Sequence, residues 1–154
     1  MGIAGNHDSF GTEEEFNDFV KGQGINYLNE NIINLEQHKW SGINGIIGRP
    51  DKANRINEND YYRYLKKNLN KQPDVILLHQ VPSFPEFYLK GNDIIRGIIN
   101  NSFPAIYICG HVEWKDKFFI EMSNGSQVLN VDNRVIILVN SKFDVNFHNL
   151  WLIP

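Results

Sequence analysis

Short apolar runs alternate along this chain with longer polar or amphipathic stretches, and the runs stop at turns containing glycine and polar residues. The first periodic stretch, Thr12 to Lys21, predicts a helix. Thr12 and Glu15 have capping-box spacing, Glu13 to Glu15 suit a positive helix start, and Gly22 ends it. Strands are predicted at Ile25 to Leu28, Ile32 to Leu35 and Ile43 to Ile47, with a polar surface loop over Asp51 to Asn59. A second helix places Tyr62, Leu65 and Leu69 on one face, gathers Lys66, Lys67 and Lys71 near its end, and stops before Pro73. Val75 to Leu78 reads as a buried strand that runs straight into His79. Ile94, Ile95, Ile98 and Ile99 give a short helix one buried side, and Ala105 to Cys109 is another buried strand, running into Gly110-His111. Lys117 to Met122 and Gln127 to Val131 flank Asn124-Gly125, a tight-hairpin signal, and Val135 to Val139 predicts a final strand. Alternating helices and strands followed by hairpins predict a layered α/β domain with mixed β-sheets.

The chain has 154 residues, the length of one domain, and residues 1–154 are read as a single unit without repeats or low-complexity segments. Hydrophobic residues make up 42% and charged residues 21%, which excludes global disorder. Fifteen Lys and Arg against eighteen Asp and Glu leave a formal charge of −3, so nothing favours nucleic acid as a charge-driven partner. No apolar run reaches the ~18 residues of a membrane-spanning helix, and no basic start followed by a long apolar core marks a signal peptide. A single cysteine, Cys109, is expected to be a small core residue of its strand. These features predict a soluble cytoplasmic domain with no membrane partner.

The chemistry-bearing residues are concentrated by position. Three apolar runs each end in a histidine-bearing motif: Gly5-Asn6-His7-Asp8 after Met1 to Ala4, His79 after Val75 to Leu78, and Gly110-His111 after Ala105 to Cys109. In open α/β sheets, ligands collect outside the carboxyl ends of the strands, so three such ends are placed to converge on one site. Asparagine and histidine are metal-ligand types, and glycine lets a turn come close to the ligand.

In this order the motifs resemble those of the calcineurin-like metallophosphoesterases. That family carries Asp-x-His, then Gly-Asp, then Gly-Asn-His-Asp or Glu, then a lone histidine after a strand, then Gly-His-x-His. Here the third motif is similar to Gly5 to Asp8, the fourth to His79 in Leu77-Leu78-His79-Gln80, and most of the fifth to Gly110-His111-Val112-Glu113. The resemblance implies an incomplete four-layer αββα sandwich with mixed β-sheets. It also implies hydrolysis of a phosphate ester by metal-bound hydroxide. Asn6, His79 and His111 would bind one of two divalent ions (manganese, iron, zinc or magnesium) lying ~3.5–4 Å apart. His7, steadied by Asp8, would act catalytically at the leaving oxygen, and Glu113 stands where the family's last metal-binding histidine would be.

No Asp-x-His triplet and no Gly-Asp pair occurs anywhere in the 154 residues. The resemblance therefore implies an N-terminal segment or a second chain that completes the site, and weak or no activity for this chain by itself. Without the family's first strands, exposed edges and apolar surface are expected to make the isolated chain form a homo-oligomer or be poorly soluble. The competing class is a non-catalytic binding or scaffold protein on the same fold, as in a scaffold subunit of the retromer complex. For Asn6 to Asp8 the bland alternative is a turn in which Asn and Asp bond to nearby backbone. For Glu113 it is a solvated carboxylate near Lys115 and Lys117. His38, in a polar turn beside Lys39, and His148 have no motif partner, and Trp40, Trp114 and Trp151 read as packing residues. Val81 to Tyr88 could shape a substrate mouth or pack its rings on the domain.

Overall fold

The computed structural model describes residues 1–22 and 24–136, together with the backbone of two strands at Asn140–Ser141 and Asp144–Val145. Helix α1 (Glu13–Gly22) forms where the capping box predicts it. Thr12 N–H donates to Glu15 Oε2 (2.7 Å) and Glu15 N–H donates back to Thr12 Oγ1 (3.2 Å), satisfying two otherwise orphaned donors. Strands β1 (Ile32–Leu35) and β2 (His38–Ile43) follow, then β3 (Ile46–Ile47), β4 (Arg55–Ile56) and α2 (Glu58–Leu69). Next come β5 (Val75–Leu78), α3 (Asp93–Asn100), β6 (Ile106–Cys109), β7 (Phe119–Glu121) and β8 (Gln127–Asn130), with β9 and β10 being the two backbone-only strands.

The main sheet has six strands in the order β1-β2-β5-β6-β8-β7. Strands β2, β5, β6 and β8 run parallel, while β1 and β7 close the two edges antiparallel. Helices α2 and α3 cover one face. Tyr61, Leu65, Leu69, Ile95 and Ile99 pack there against Ile43, Ile76, Leu78, Tyr107, Cys109 and Val128 in one buried cluster. Asn57 caps α2 through Asp60 N–H, and Asn92 caps α3 through Ile95 N–H. Alternation turns Gly42, Leu77, Ile108 and Leu129, which share one register row, toward the opposite face. There Gly42 leaves the room that Ile3 and Leu28 use, since a Cβ would lie 2.6 Å from Ile3 Cγ2.

Several expectations need correction. Ile25 to Leu28 is not a strand; it makes one isolated parallel bridge, Tyr27 to Gly2. Ile43 to Ile47 is two strands, because Gly45 breaks the run at φ +64° with its Cα hard against the Asn54 carbonyl, where a Cβ would come within 1.9 Å. The Asp51 to Asn59 loop contains β4, which pairs in parallel with β3, and its end belongs to α2. His38 is exposed as expected but opens β2; the turn is Glu36-Gln37, both at positive φ. The predicted strand at Val135 to Val139 runs into residues outside the described set, and residues 135–136 are not strand. His148 and Trp151 also lie outside the described residues. The α/β class with a mixed sheet is as expected. No helix among the described residues is long and apolar enough to cross a membrane.

Candidate metal centre

The four parallel strands end in one row: Ile43, Leu78, Cys109 and Asn130 are successive register partners across the sheet. The residues that follow, Asn44, His79, Gly110-His111 and Val131-Asp132, therefore leave the sheet along the same edge. The N-terminal segment is fastened to this edge by backbone contacts. Ala4 N–H donates to Asn44 Oδ1 (2.9 Å), and Gly45 N–H donates to the Ala4 carbonyl (2.8 Å). Gly5 then lies flat against the His79 ring, where a Cβ would sit 2.9 Å from His79 Cε1. This is why a glycine precedes Asn6.

Asn6 is buried, at 9% exposure, and its Oδ1 is 2.9 Å from His79 Nε2. Facing an amide oxygen, that ring nitrogen acts as the donor. The His79 and His111 rings stand beside each other with centroids 4.9 Å apart. Three segments distant in sequence thus bring Asn6, His79 and His111 together. Burial lowers the pKa of His79, and the neighbouring His111 and His7 add to that; the charges of Asp8 and Asp132 oppose it. Burial likewise lowers His111, with His7 and Arg55 in the same sense and Asp132 against. Both imidazoles are therefore held toward the neutral form, the state in which histidine binds a metal.

His111 has φ +73°, and Val112 N–H closes a three-residue turn onto the Gly110 carbonyl (2.9 Å). His7 is exposed and its charge reaches both imidazoles. Asp8 does not hold the His7 ring. Its Oδ2 accepts Gly5 N–H (2.7 Å) and its carbonyl accepts Asn54 Nδ2 (2.7 Å), so it fixes the turn that carries His7. The bland reading of this motif is thus half right: Asp8 bonds to nearby backbone, whereas Asn6 reaches across to His79.

Glu113 is exposed, and among the described residues no three His, Cys, Asp or Glu side chains are grouped to hold a metal ion. Glu113 therefore does not join His79 and His111 in one ligand cluster. By donor chemistry, one amide oxygen and two neutral imidazoles fit a single divalent ion, whereas the described residues do not build a two-ion centre. Sequence reasoning missed Asp132 and Arg55, whose charges act on the histidines, and Asn44 and Asn54, which pin the motif turn. A signal for Asp132 was present: the predicted strand Gln127 to Val131, apolar except for Gln127 and Asn130, runs straight into a carboxylate instead of a histidine.

Of the segment Val81 to Tyr88, the first half is packed and the second half, with Phe87 and Tyr88, is exposed. Phe84 is buried edge-on against Trp114 (centroids 5.5 Å apart), and Trp114 Nε1–H donates to the Lys90 carbonyl (3.1 Å). The loops leaving β5 and β6 are locked together in this way, while Tyr88 at the tip is 95% exposed. Comparison with protein-family models, with curated proteins and with solved structures gave no match to this chain. The resemblance to metallophosphoesterases rests on the motif residues themselves.

Proposed function

We propose that this chain is the C-terminal portion of a calcineurin-like metallophosphoesterase domain, a piece of its four-layer αββα sandwich, acting in hydrolysis of a phosphate ester. The observation that carries this reading is the meeting of Asn6, His79 and His111 at one sheet edge, with Asn6 Oδ1 2.9 Å from His79 Nε2. Those three side chains would hold one divalent ion through an amide oxygen and two imidazole nitrogens, the ion replacing the His79–Asn6 hydrogen bond as the His79 ring proton passes from Nε2 to Nδ1. An ion of this class, when bound there, would polarise the phosphoryl group and make a water nucleophilic near neutral pH. The chain's own residues position the rest. Gly5 admits the turn against His79, Asp8 fixes that turn, and His7 holds a proton for the leaving oxygen. The second ion needs the Asp-x-His and Gly-Asp motifs, which a further segment or another chain would contribute. Half-buried Leu77 and Ile108, on the face away from α2 and α3, support a further layer over that face.

The test is manganese-stimulated hydrolysis of p-nitrophenyl phosphate by the chain joined to a segment carrying both motifs. His7→Ala is expected to lower kcat by roughly 10²–10⁴-fold; an unchanged kcat would sink its assignment. Among the described residues no carboxylate is grouped with the two imidazoles, which favours a second reading, ion-dependent binding of a partner without turnover. Tight ion binding without hydrolysis in the completed protein would select it.

A further inference from the structure

The three side chains assigned to the ion carry no formal charge, since asparagine and neutral histidine contribute none. A divalent cation held by them needs negative charge close by, because charge count is one of the terms that sets affinity for hard cations. Two carboxylates compete for that role. Glu113 lies two residues beyond His111 in the motif but is exposed. Asp132 lies two residues beyond Asn130, just as His111 lies two residues beyond Cys109, and Cys109 and Asn130 are register partners on adjacent parallel strands. The two exits from the sheet are thus neighbours and equally long.

The Asp132 exit is tied to the His111 exit along its length. Val131 N–H donates to the Cys109 carbonyl (2.8 Å), and Asn130 Nδ2 donates to the Val112 carbonyl (2.7 Å). Asn130 Oδ1 in turn accepts Asp132 N–H (2.9 Å), and Arg134 Nη1 donates to the Asp132 carbonyl (3.1 Å). Arg134 Nη2 continues to the Trp114 and Lys115 carbonyls, beyond Glu113. None of these bonds uses the Asp132 carboxylate. Among the described residues, that half-buried carboxylate has no hydrogen bond and no ion pair. Arg134, the nearest cation in sequence, is occupied with carbonyls. The charge of Asp132 nevertheless favours positive charge at both imidazoles, whereas Glu113 stands exposed beyond the His111 turn.

We infer that Asp132 supplies the negative charge for a divalent ion held by Asn6, His79 and His111, acting from outside the direct ligands, and that Glu113 does not. The inference rests on the metal-site reading above. Outside the direct ligands is the position its placement allows, because Asp132, His79 and His111 do not form a three-ligand group among the described residues. Carboxylates in that position orient and polarise the ligands, and losing one typically weakens metal binding by about 10–100-fold.

The experiment is calorimetric titration of the whole chain with manganese(II) at pH 7.5, comparing wild type, Asp132→Asn, Asp132→Glu and Glu113→Gln. The expected result is a loss of about 10–100-fold for Asp132→Asn, substantial recovery in Asp132→Glu, and wild-type affinity for Glu113→Gln. Thermal unfolding in excess chelator checks each fold; should Asp132→Asn unfold, Asp132→Ser replaces it in the comparison. Unchanged affinity in Asp132→Asn overturns the inference and leaves the metal site standing. An equal loss in Glu113→Gln also overturns it, by reducing the effect to net charge. Absence of manganese binding to wild type overturns the metal-site reading, and this inference with it.

Discussion

His111 keeps a backbone conformation that non-glycine residues rarely adopt, at φ +73° inside a three-residue turn. Such conformations cost on the order of 1–3 kcal/mol and persist where the surroundings impose them, which is frequently at functional sites. Glycine would suit this position better, so the histidine stands there against local preference. His111→Gly is expected to raise the unfolding free energy by about 1 kcal/mol, the strain relief less the entropy of an added glycine. The same substitution is expected to abolish divalent-ion binding. Urea unfolding in chelator, paired with a manganese titration, checks both halves; a destabilised variant that still binds manganese would contradict the account. At this scale the sequence was informative about identity but not about posture. Asn6, His79 and His111 stand out as residue types at the ends of apolar runs. Nothing in Gly110-His111-Val112 announces a left-handed histidine, and the partner of Asp8 is Gly5 N–H instead of the His7 ring.

The elements divide by what holds them. Helix α2 buries Tyr61, Tyr62, Leu65, Asn68 and Leu69, whereas α1 has no buried residue. Helix α1 is held by its capping box and by aromatic contacts, Phe16 to Phe10 (5.2 Å) and to Tyr27 (4.8 Å). Helices shorter than ~12–15 residues are marginal by themselves, and most helix stability comes from tertiary packing. The amides of α1 are therefore expected to exchange with deuterium well before those of α2, with α2 exchanging only on global unfolding. Equal protection of the two helices in an exchange time course would contradict this. Elements with strong local signals were readable. The capping box gave α1, Pro73 bounded α2, and the compact apolar runs gave β5 and β6. The β1–β2 hairpin was hidden because its two-residue turn is Glu36-Gln37, not the Asn-Gly type that such turns favour. Strands β3 and β4, two residues each, are too short for any periodicity to show.

Across the whole molecule, the parallel core of the sheet fixes the candidate site. Four strand ends in one register row send Asn44, His79, His111 and Asp132 off the same edge, and the N-terminal turn adds Asn6 from the side. The alternation of elements made the α/β class legible, and the rule that ligands gather at carboxyl strand ends led to the histidines. Strand order was not legible. Without it the alignment of β8 with β6, and so the place of Asp132, could not be read from the chain. The central claim is that His79 and His111, together with Asn6, hold one divalent ion. Nitrogen-15 NMR of the histidine rings during titration with zinc(II) tests it most directly. The account predicts that the ring nitrogens of His79 and His111 shift together, complete their change at one equivalent, and do so while the exposed His38 stays unmoved. A titration in which neither ring responds, or in which only His38 or His148 does, would contradict it.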